Sequence, residues 1–271
     1  DFCLSRGLGD VYKRQATRVQ KAVSPPISID ATKIYVTCSV GFCLLGRAPL
    51  SSGQSMLEAA QIAADAALRN GPAAIRSYSP DMGQVRTDRV ARREQLEQAL
   101  DQGQIRAHFQ PQVAADSGEI SGFEALARWH HPERGIVPPA HFLPALEEAG
   151  LLERLGEVIL HDALNAIARW DRAGHVVPSV SVNFSAEELR NAKLPDKIKW
   201  ELDRFSLEPE RLTIEILETV VTEADNDMIV RNVAALSALG CGIDLDDFGT
   251  GHASITNIRR FALRRLKIDR S

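Results

Sequence analysis

The sequence predicts an α/β protein: an incomplete (β/α)8 barrel of the TIM type, preceded by a smaller, partial α/β unit. Three observations predict it. From about Gln104 onward, apolar strand-like runs alternate with amphipathic helical stretches, the pattern of a parallel sheet with crossover helices. Five of those strands carry polar side chains on one face only, towards their C-terminal ends, as the catalytic rim of such a barrel does. Finally, only six strands can be read between "AHFQPQV" and "RRLKID", whereas closure takes about eight.

Taken in order, the opening "DFCLSRGLGDVYKRQ" has neither amphipathic period nor helix caps. It begins at Asp1 rather than Met and looks like translated adapter sequence, so residues 1–15 are set aside. Residues 16–80 read as a strand, "KIYVTCSVGFCLL", a polar turn, "SSGQS", and a helix, "MLEAAQIAADAAL", ended by Asn70, Gly71 and Pro72. Residues 81–103 read as a short linker, "SPDMGQVRTD", running into a charged helix closed by Gly103. The second domain occupies 104–271. Its helix "ERLGEVILHDALNAIARWDRAG" repeats Ile159, Ala163, Ala166, Ile167 and Trp170 at helical spacing. Ile229, Val233 and Leu236 do the same before Gly240, and Ser185 with Glu188 forms a capping box after "SVSVNF".

The chain has 271 residues, 44% hydrophobic and 25% charged, with a net charge of −4. That is an ordinary globular composition, and it lacks the basic excess of a nucleic-acid-polymer binder. Cys3, Cys38, Cys43 and Cys241 match neither a zinc pattern nor a disulfide framework, so reduced thiols in the cytoplasm are expected. No apolar run reaches the ~18 residues of a membrane span, and no membrane contact is expected from this segment. An upstream sensor or membrane segment in a longer protein would be compatible with this.

Side chains alternate faces along a strand. In "FEALARW", Glu124, Leu126 and Arg128 oppose Phe123, Ala125, Ala127 and Trp129; in "SVSVNF", Ser181 and Asn183 oppose Val180, Val182 and Phe184. Thr213 and Glu215, Asp244 and Asp246, and Lys267 and Asp269 repeat the split in the next three strands. A wet face of an antiparallel sheet would explain any one of these. If crossover helices cover the apolar face, however, the polar face points into a barrel, where unpaired charge costs several kcal/mol. Five strands repeating that cost argue for one shared site. Its acids Glu124, Glu215, Asp246 and Asp247, its amide Asn183, and its bases Arg128 and Lys267 suit a divalent cation and a phosphate.

The stretch "DLDDFGTG" crowds Asp244, Asp246 and Asp247 before Gly249 and Gly251. Alone it reads as a surface turn. At the end of one of these strands it reads as a cation site, with the glycines turning the following loop sharply. Oxygen-only ligands favour Mg²⁺ or Mn²⁺ over Zn²⁺. His130 and His131 read as residues of a solvated loop before Pro132.

The ordered blocks "FQPQV", "GFEALARW", "FLPALEEAGL", "VNFSA", "EILE", "DDFGTG" and "LKIDRS" resemble the EAL-domain phosphodiesterases that hydrolyse cyclic di-GMP. The resemblance implies that Glu124, Asn183, Glu215 and Asp246 ligate a metal and that Asp247 reaches a second. Gln110 and Arg128 would hold the dinucleotide. Lys267 and Asp269 would position the attacking water and the scissile phosphate, and Glu218 would anchor the loop that "DDFGTG" begins. Two Mg²⁺ or Mn²⁺ ions would then activate water and open the ring to linear pGpG. The alternative is a receptor module that binds cyclic di-GMP without cutting it. The resemblance leaves room for a homodimer through this domain.

Leu217 stands where the family usually has threonine, and "GHAS" where it has "GYSS". The family continues past "LKIDRSF" with two more strands, the first bringing an "AEGVE" glutamate to the metal centre. The expectation is therefore a barrel truncated after its sixth strand and, by itself, inactive. Through "VTCSVGFC" and "AADAAL", residues 16–80 resemble the C-terminal half of a GGDEF domain, with the cyclase signature itself upstream of Asp1.

Overall fold

The computed structural model describes residues 2–30, 32–222, 227–249 and 261–268. They form two compact units, residues 1–92 and 93–271. In the first, α1 (Phe2–Val23) is followed by an antiparallel pair, β1 (Ile27–Ile29) and β2 (Thr32–Ile34). Then come β3 (Val40–Phe42), α2 (Gly53–Arg69) and β4 (Ile75–Ser77), with β3 and β4 pairing in parallel. Ala59, Ala63 and Ala67 on α2 are buried, and the Ser52 side chain caps its start by accepting from Ser55 N–H.

Two expectations change here. The set-aside opening is helical, and α1 continues past Gln15 to Val23 because "KRQATRVQKAV" is rich in helix formers. Its Gln20 Nε2 donates to the carbonyls of Cys38 and Ala73, each at 2.8 Å, while Ala16 is buried. The single strand expected over Lys33–Leu45 is broken, with residues 35–39 belonging to no strand.

The expected linker also disappears, because α3 (Pro80–Asp101) is one continuous helix from Pro80, a residue well suited to a first turn. Its last two turns bury Leu96, Ala99 and Leu100.

The second unit opens with β5 (Ile105–Val113), β6 (Ile120–His131) and a short β7 (Gly135–Val137). There follow α4 (Leu143–Ala149), α5 (Leu152–Arg172), β8 (Val180–Phe184), α6 (Ala186–Leu189) and α7 (Leu194–Phe205). The described order ends with β9 (Leu212–Leu217), α8 (Glu218–Thr222), α9 (Asp227–Leu239), β10 (Gly242–Phe248) and β11 (Arg265–Ile268). One sheet runs β11-β10-β9-β8-β6-β5, with β7 also on β6. Pairing is parallel from β6 through β8, β9 and β10 to β11, the barrel-like part of the expectation. Among the described residues the sheet is not closed, as expected of an incomplete barrel.

It differs in two ways from a purely parallel sheet of six strands. β5 and β6 are antiparallel over nearly their whole length, since the six-residue turn between them is too short for a crossover. β7 adds a seventh strand by folding back at once on β6.

The helices cover the apolar face. On α5, Ile159, Ala163, Ala166 and Ile167 are buried, and Trp170 packs on Phe109 and Phe123 with ring centroids 5.0 and 5.1 Å apart. On α9, Ile229, Val233 and Leu236 are fully buried. Each such side chain stabilises by about 1.5 to 3 kcal/mol on transfer from water. Arg211 ties the start of β9 to α5 through a two-pronged pair with Asp171, at 2.8 and 3.0 Å. Among the described residues no helix is long and apolar enough to cross a membrane.

Candidate metal centre

Register builds the site. Glu124 on β6 lies opposite Ser181 on β8, Asn183 lies opposite Glu215 on β9, and Glu215 lies opposite Asp244 on β10. Asp246 follows two residues later on the same face, at the C-terminal end of its strand. With helices on the other face, the polar face holds its charge in one place. Glu124, Glu215 and Asp246 each offer a carboxylate oxygen within 4.8 Å of the others.

Lys267, from β11, reaches into this cluster. Its Nζ lies 3.1 Å from Glu124 Oε2 and 3.9 Å from Asp246 Oδ2, and it makes a close ion pair with Glu215. Burial alone would lower the Lys267 pKa, but the Glu215 hydrogen bond and the charges of Glu215, Glu124 and Asp246 outweigh it. The ammonium is held above its ordinary value. Glu215, fully buried, moves upward chiefly through burial and then through the charge of Glu124, against the opposing pull of Lys267. Three acids around one base leave a net negative centre.

The donor set fits a hard divalent cation. Asn183 Nδ2 donates to Glu124 Oε1 at 3.2 Å, which leaves its carbonyl oxygen as a candidate ligand. Glu215 Oε2 is buried with no hydrogen-bond partner, a costly state for a carboxylate oxygen unless a cation or water meets it. All the donors are oxygens.

The remaining sequence candidates spread around this centre. Asp247 is exposed with φ 54, a left-handed conformation that few residues other than glycine adopt, and its N–H donates to Asp246 Oδ1 at 3.0 Å. Its side chain therefore leaves the alternation of the strand. Glu218, the buried first residue of α8, accepts from Gly249 N–H at 2.8 Å, and Gly249 has φ 105. Gln110 is exposed on β5 directly opposite Glu124. Arg128, four residues along β6 from Glu124 and on the same face, donates from Nη1 to the Ala127 carbonyl at 2.8 Å. Asp269 and Gly251 lie outside the described residues.

Sequence reasoning gave Asp244 no partner. It is fully buried, and Arg265 donates to its Oδ2 from both Nε and Nη2, at 2.9 and 2.8 Å. The signal was present: Arg265 stands two residues before Lys267 and so shares its face. The loop expected at His130 and His131 is the end of β6 instead. His131 does cap a turn, its Nδ1 accepting from Glu133 and Arg134 N–H, but His130 meets His108 across the ribbon.

The chain matches known proteins along most of its length. It is 33% identical over 257 residues to the oxygen sensor protein DosP of Escherichia coli, covering 94% of this chain and 32% of that protein. To the bifunctional diguanylate cyclase/cyclic di-GMP phosphodiesterase MucR of Pseudomonas aeruginosa it is 35% identical over 260 residues, covering 94% and 37%. The chain thus spans about a third of the length of these curated relatives. Among solved structures, the PaMucR phosphodiesterase in complex with c-di-GMP superposes with a TM-score of 0.62 at 39% identity, covering 66% of this chain and 72% of that one. The FimX EAL domain of Pseudomonas aeruginosa bound to c-di-GMP superposes with a TM-score of 0.59 at 27% identity, covering 67% and 71%. The family model for the EAL domain matches residues 93–271, the whole unit that carries the acid cluster, and the chain belongs to the EAL-domain family.

Proposed function

We propose that the 93–271 unit hydrolyses cyclic di-GMP to linear pGpG in a two-cation site. The observation that carries this reading is the convergence of Glu124, Glu215 and Asp246 on Lys267 at the C-terminal side of a parallel sheet. Glu124, Asn183, Glu215 and Asp246 hold one Mg²⁺ or Mn²⁺, and Asp247 reaches a second. When bound, such cations supply a water of lowered pKa and a clamp on the phosphodiester oxygens.

The chain's own residues orient the reactants. Lys267, kept protonated by its acids, offsets phosphate charge and, with Asp269, positions the water. Gln110 and Arg128, flanking Glu124 on the same face, hold the dinucleotide. Glu218 keeps the backbone after Asp247 in place through Gly249. Relatives named cyclic di-GMP phosphodiesterases, among them PdeR of Escherichia coli and NbdA of Pseudomonas aeruginosa, support the reading. By the same reading the unit works in the cytoplasm, and residues 16–80 are the C-terminal half of a GGDEF-like domain.

The test is pGpG formation from cyclic di-GMP by the protein carrying this unit, with Mg²⁺ or Mn²⁺, and its loss in Glu124→Gln. Dinucleotide binding with no pGpG in either metal would replace hydrolysis with a receptor role.

A further inference from the structure

The face of the β5–β6 ribbon that carries Gln110 and Glu124 continues away from the acids into a cluster of bases. Arg106 lies directly opposite Arg128, a like-charge pairing that destabilises a sheet unless something offsets it. Among the described residues nothing does so. Arg106 donates to the Gly103 carbonyl at 2.7 and 3.2 Å, and Arg128 to the Ala127 carbonyl. Among the described residues neither makes an ion pair with a carboxylate.

Two imidazoles join them. His108 Nε2 and His130 Nε2 stand 2.9 Å apart, with ring centroids at 5.1 Å. At that distance one Nε2 donates and the other accepts, so a single proton lies between these two nitrogens while a neutral accepting ring carries its own on Nδ1. The His108 pKa is lowered by burial first, then by His130, Arg128 and Arg106. Every charged group that acts on it is a base: Arg106 on its own strand, and Arg128 and His130 on the neighbouring one. Among the described residues, four bases converge here with no acid paired to either arginine, in a chain whose net charge is −4.

We propose that Arg106, His108, Arg128 and His130 form a subsite for a phosphoryl anion at the end of the β5–β6 ribbon. An oxyanion entering between the rings exchanges one N–H···N bond for two N–H···O bonds. The accepting ring turns its Nε2 into a donor by shifting its own proton from Nδ1, so the exchange needs no proton from outside. Two sources share this chemistry: free phosphate, and a phosphodiester of the dinucleotide. Only the second rests on the proposed function. The anion preference stands without it.

The experiment follows the imidazole Cε1–H signals by NMR in metal-free protein, titrated with inorganic phosphate, with the exposed His175 as internal reference. The expected result is saturable movement of His108 and His130. His130→Gln and Arg106→Gln should each weaken binding severalfold, and an unchanged amide spectrum would show that both variants fold. Displacement of phosphate by cyclic di-GMP would assign the subsite to the dinucleotide, whereas saturation without displacement would assign it to free phosphate whatever the fate of the hydrolase reading. If His108 and His130 move no more than His175, or if both variants bind phosphate as the parent does, the subsite does not exist.

Discussion

The buried carboxylate of Glu218 accepts a hydrogen bond from the backbone N–H of Gly249 at 2.8 Å, joining the start of α8 to the chain just beyond Asp246 and Asp247. The bond fixes where the backbone goes after the strand that bears Asp246. Glu218→Ala frees that backbone, and turnover should fall by about 10²-fold, the effect of a small misplacement of a reacting group. Mn²⁺ affinity and pGpG formation, measured together, check it. Unchanged values of both would leave Glu218 a structural residue only.

Glu124→Ala and Asp246→Ala each remove an oxygen from the cluster without touching the apolar core. Hydrolysis should drop at least about 10³-fold, on the scale of losing a principal electrostatic stabiliser, while far-ultraviolet circular dichroism stays as it was. Mg²⁺ and Mn²⁺ should support turnover. Ca²⁺ should inhibit it, because its larger and looser shell misplaces the water. Equal rates in Ca²⁺ would count against the proposed geometry.

Lys267→Met removes the only base that these acids contact among the described residues. Breaking a buried pair by deleting one partner costs about 3 to 5 kcal/mol, because the remaining charge stays buried. Denaturant midpoints of metal-free protein should fall accordingly, and added Mg²⁺ should recover more stability in the variant than in the parent. Equal recovery in the two would mean that lysine and cation do not share the acids.

Glu188 provides a pH signature away from the acid cluster. Burial pushes its carboxyl up to about 7, against the pull of its hydrogen bonds from Ser185. A group raised on folding adds stability that is complete below its unfolded pKa of 4.5 and is lost as pH climbs through about 7. The loss is on the order of 3 kcal/mol. In Glu188→Gln this component should vanish, flattening the stability profile between pH 4.5 and 7. The carboxyl packs against Gly156 so closely that an added Cβ would meet its Oε1, and Gly156→Ala should destabilise by about 1 to 3 kcal/mol. Chemical denaturation across this pH window tests both substitutions.

Much of this was legible in the sequence, for reasons that also mark where legibility stops. The stripes Ile159, Ala163, Ile167 and Ile229, Val233, Leu236 fix two helices, because a period near 3.6 has one interpretation. Strand parity gathers Glu124, Glu215, Asp246 and Lys267 on one face, and the structure has Lys267 in contact with all three acids. Parity is blind to direction, so the antiparallel β5–β6 pair was hidden among parallel expectations. It is equally blind to which residues meet across strands. His108 and His130 are 22 positions apart, and only the register between their strands brings the rings together. The helical continuity of α3 through "SPDMGQVRTD" was masked by Gly83, which suggested a linker.

Lys267 and Glu124 are 143 positions apart, and that separation orders events while the protein is being made. The ligands leave the ribosome as Glu124, Asn183, Glu215 and Asp246, with the lysine last. At about 5 to 20 residues per second, roughly 1 to 4 seconds pass between the final acid and its counter-charge. Throughout that interval the nascent strands hold mutually repelling carboxylates without the lysine that contacts all three in the finished fold. A free divalent ion can do what the lysine has yet to do, so the metal concentration in the medium should set how fast this sheet assembles during translation, before any substrate is met.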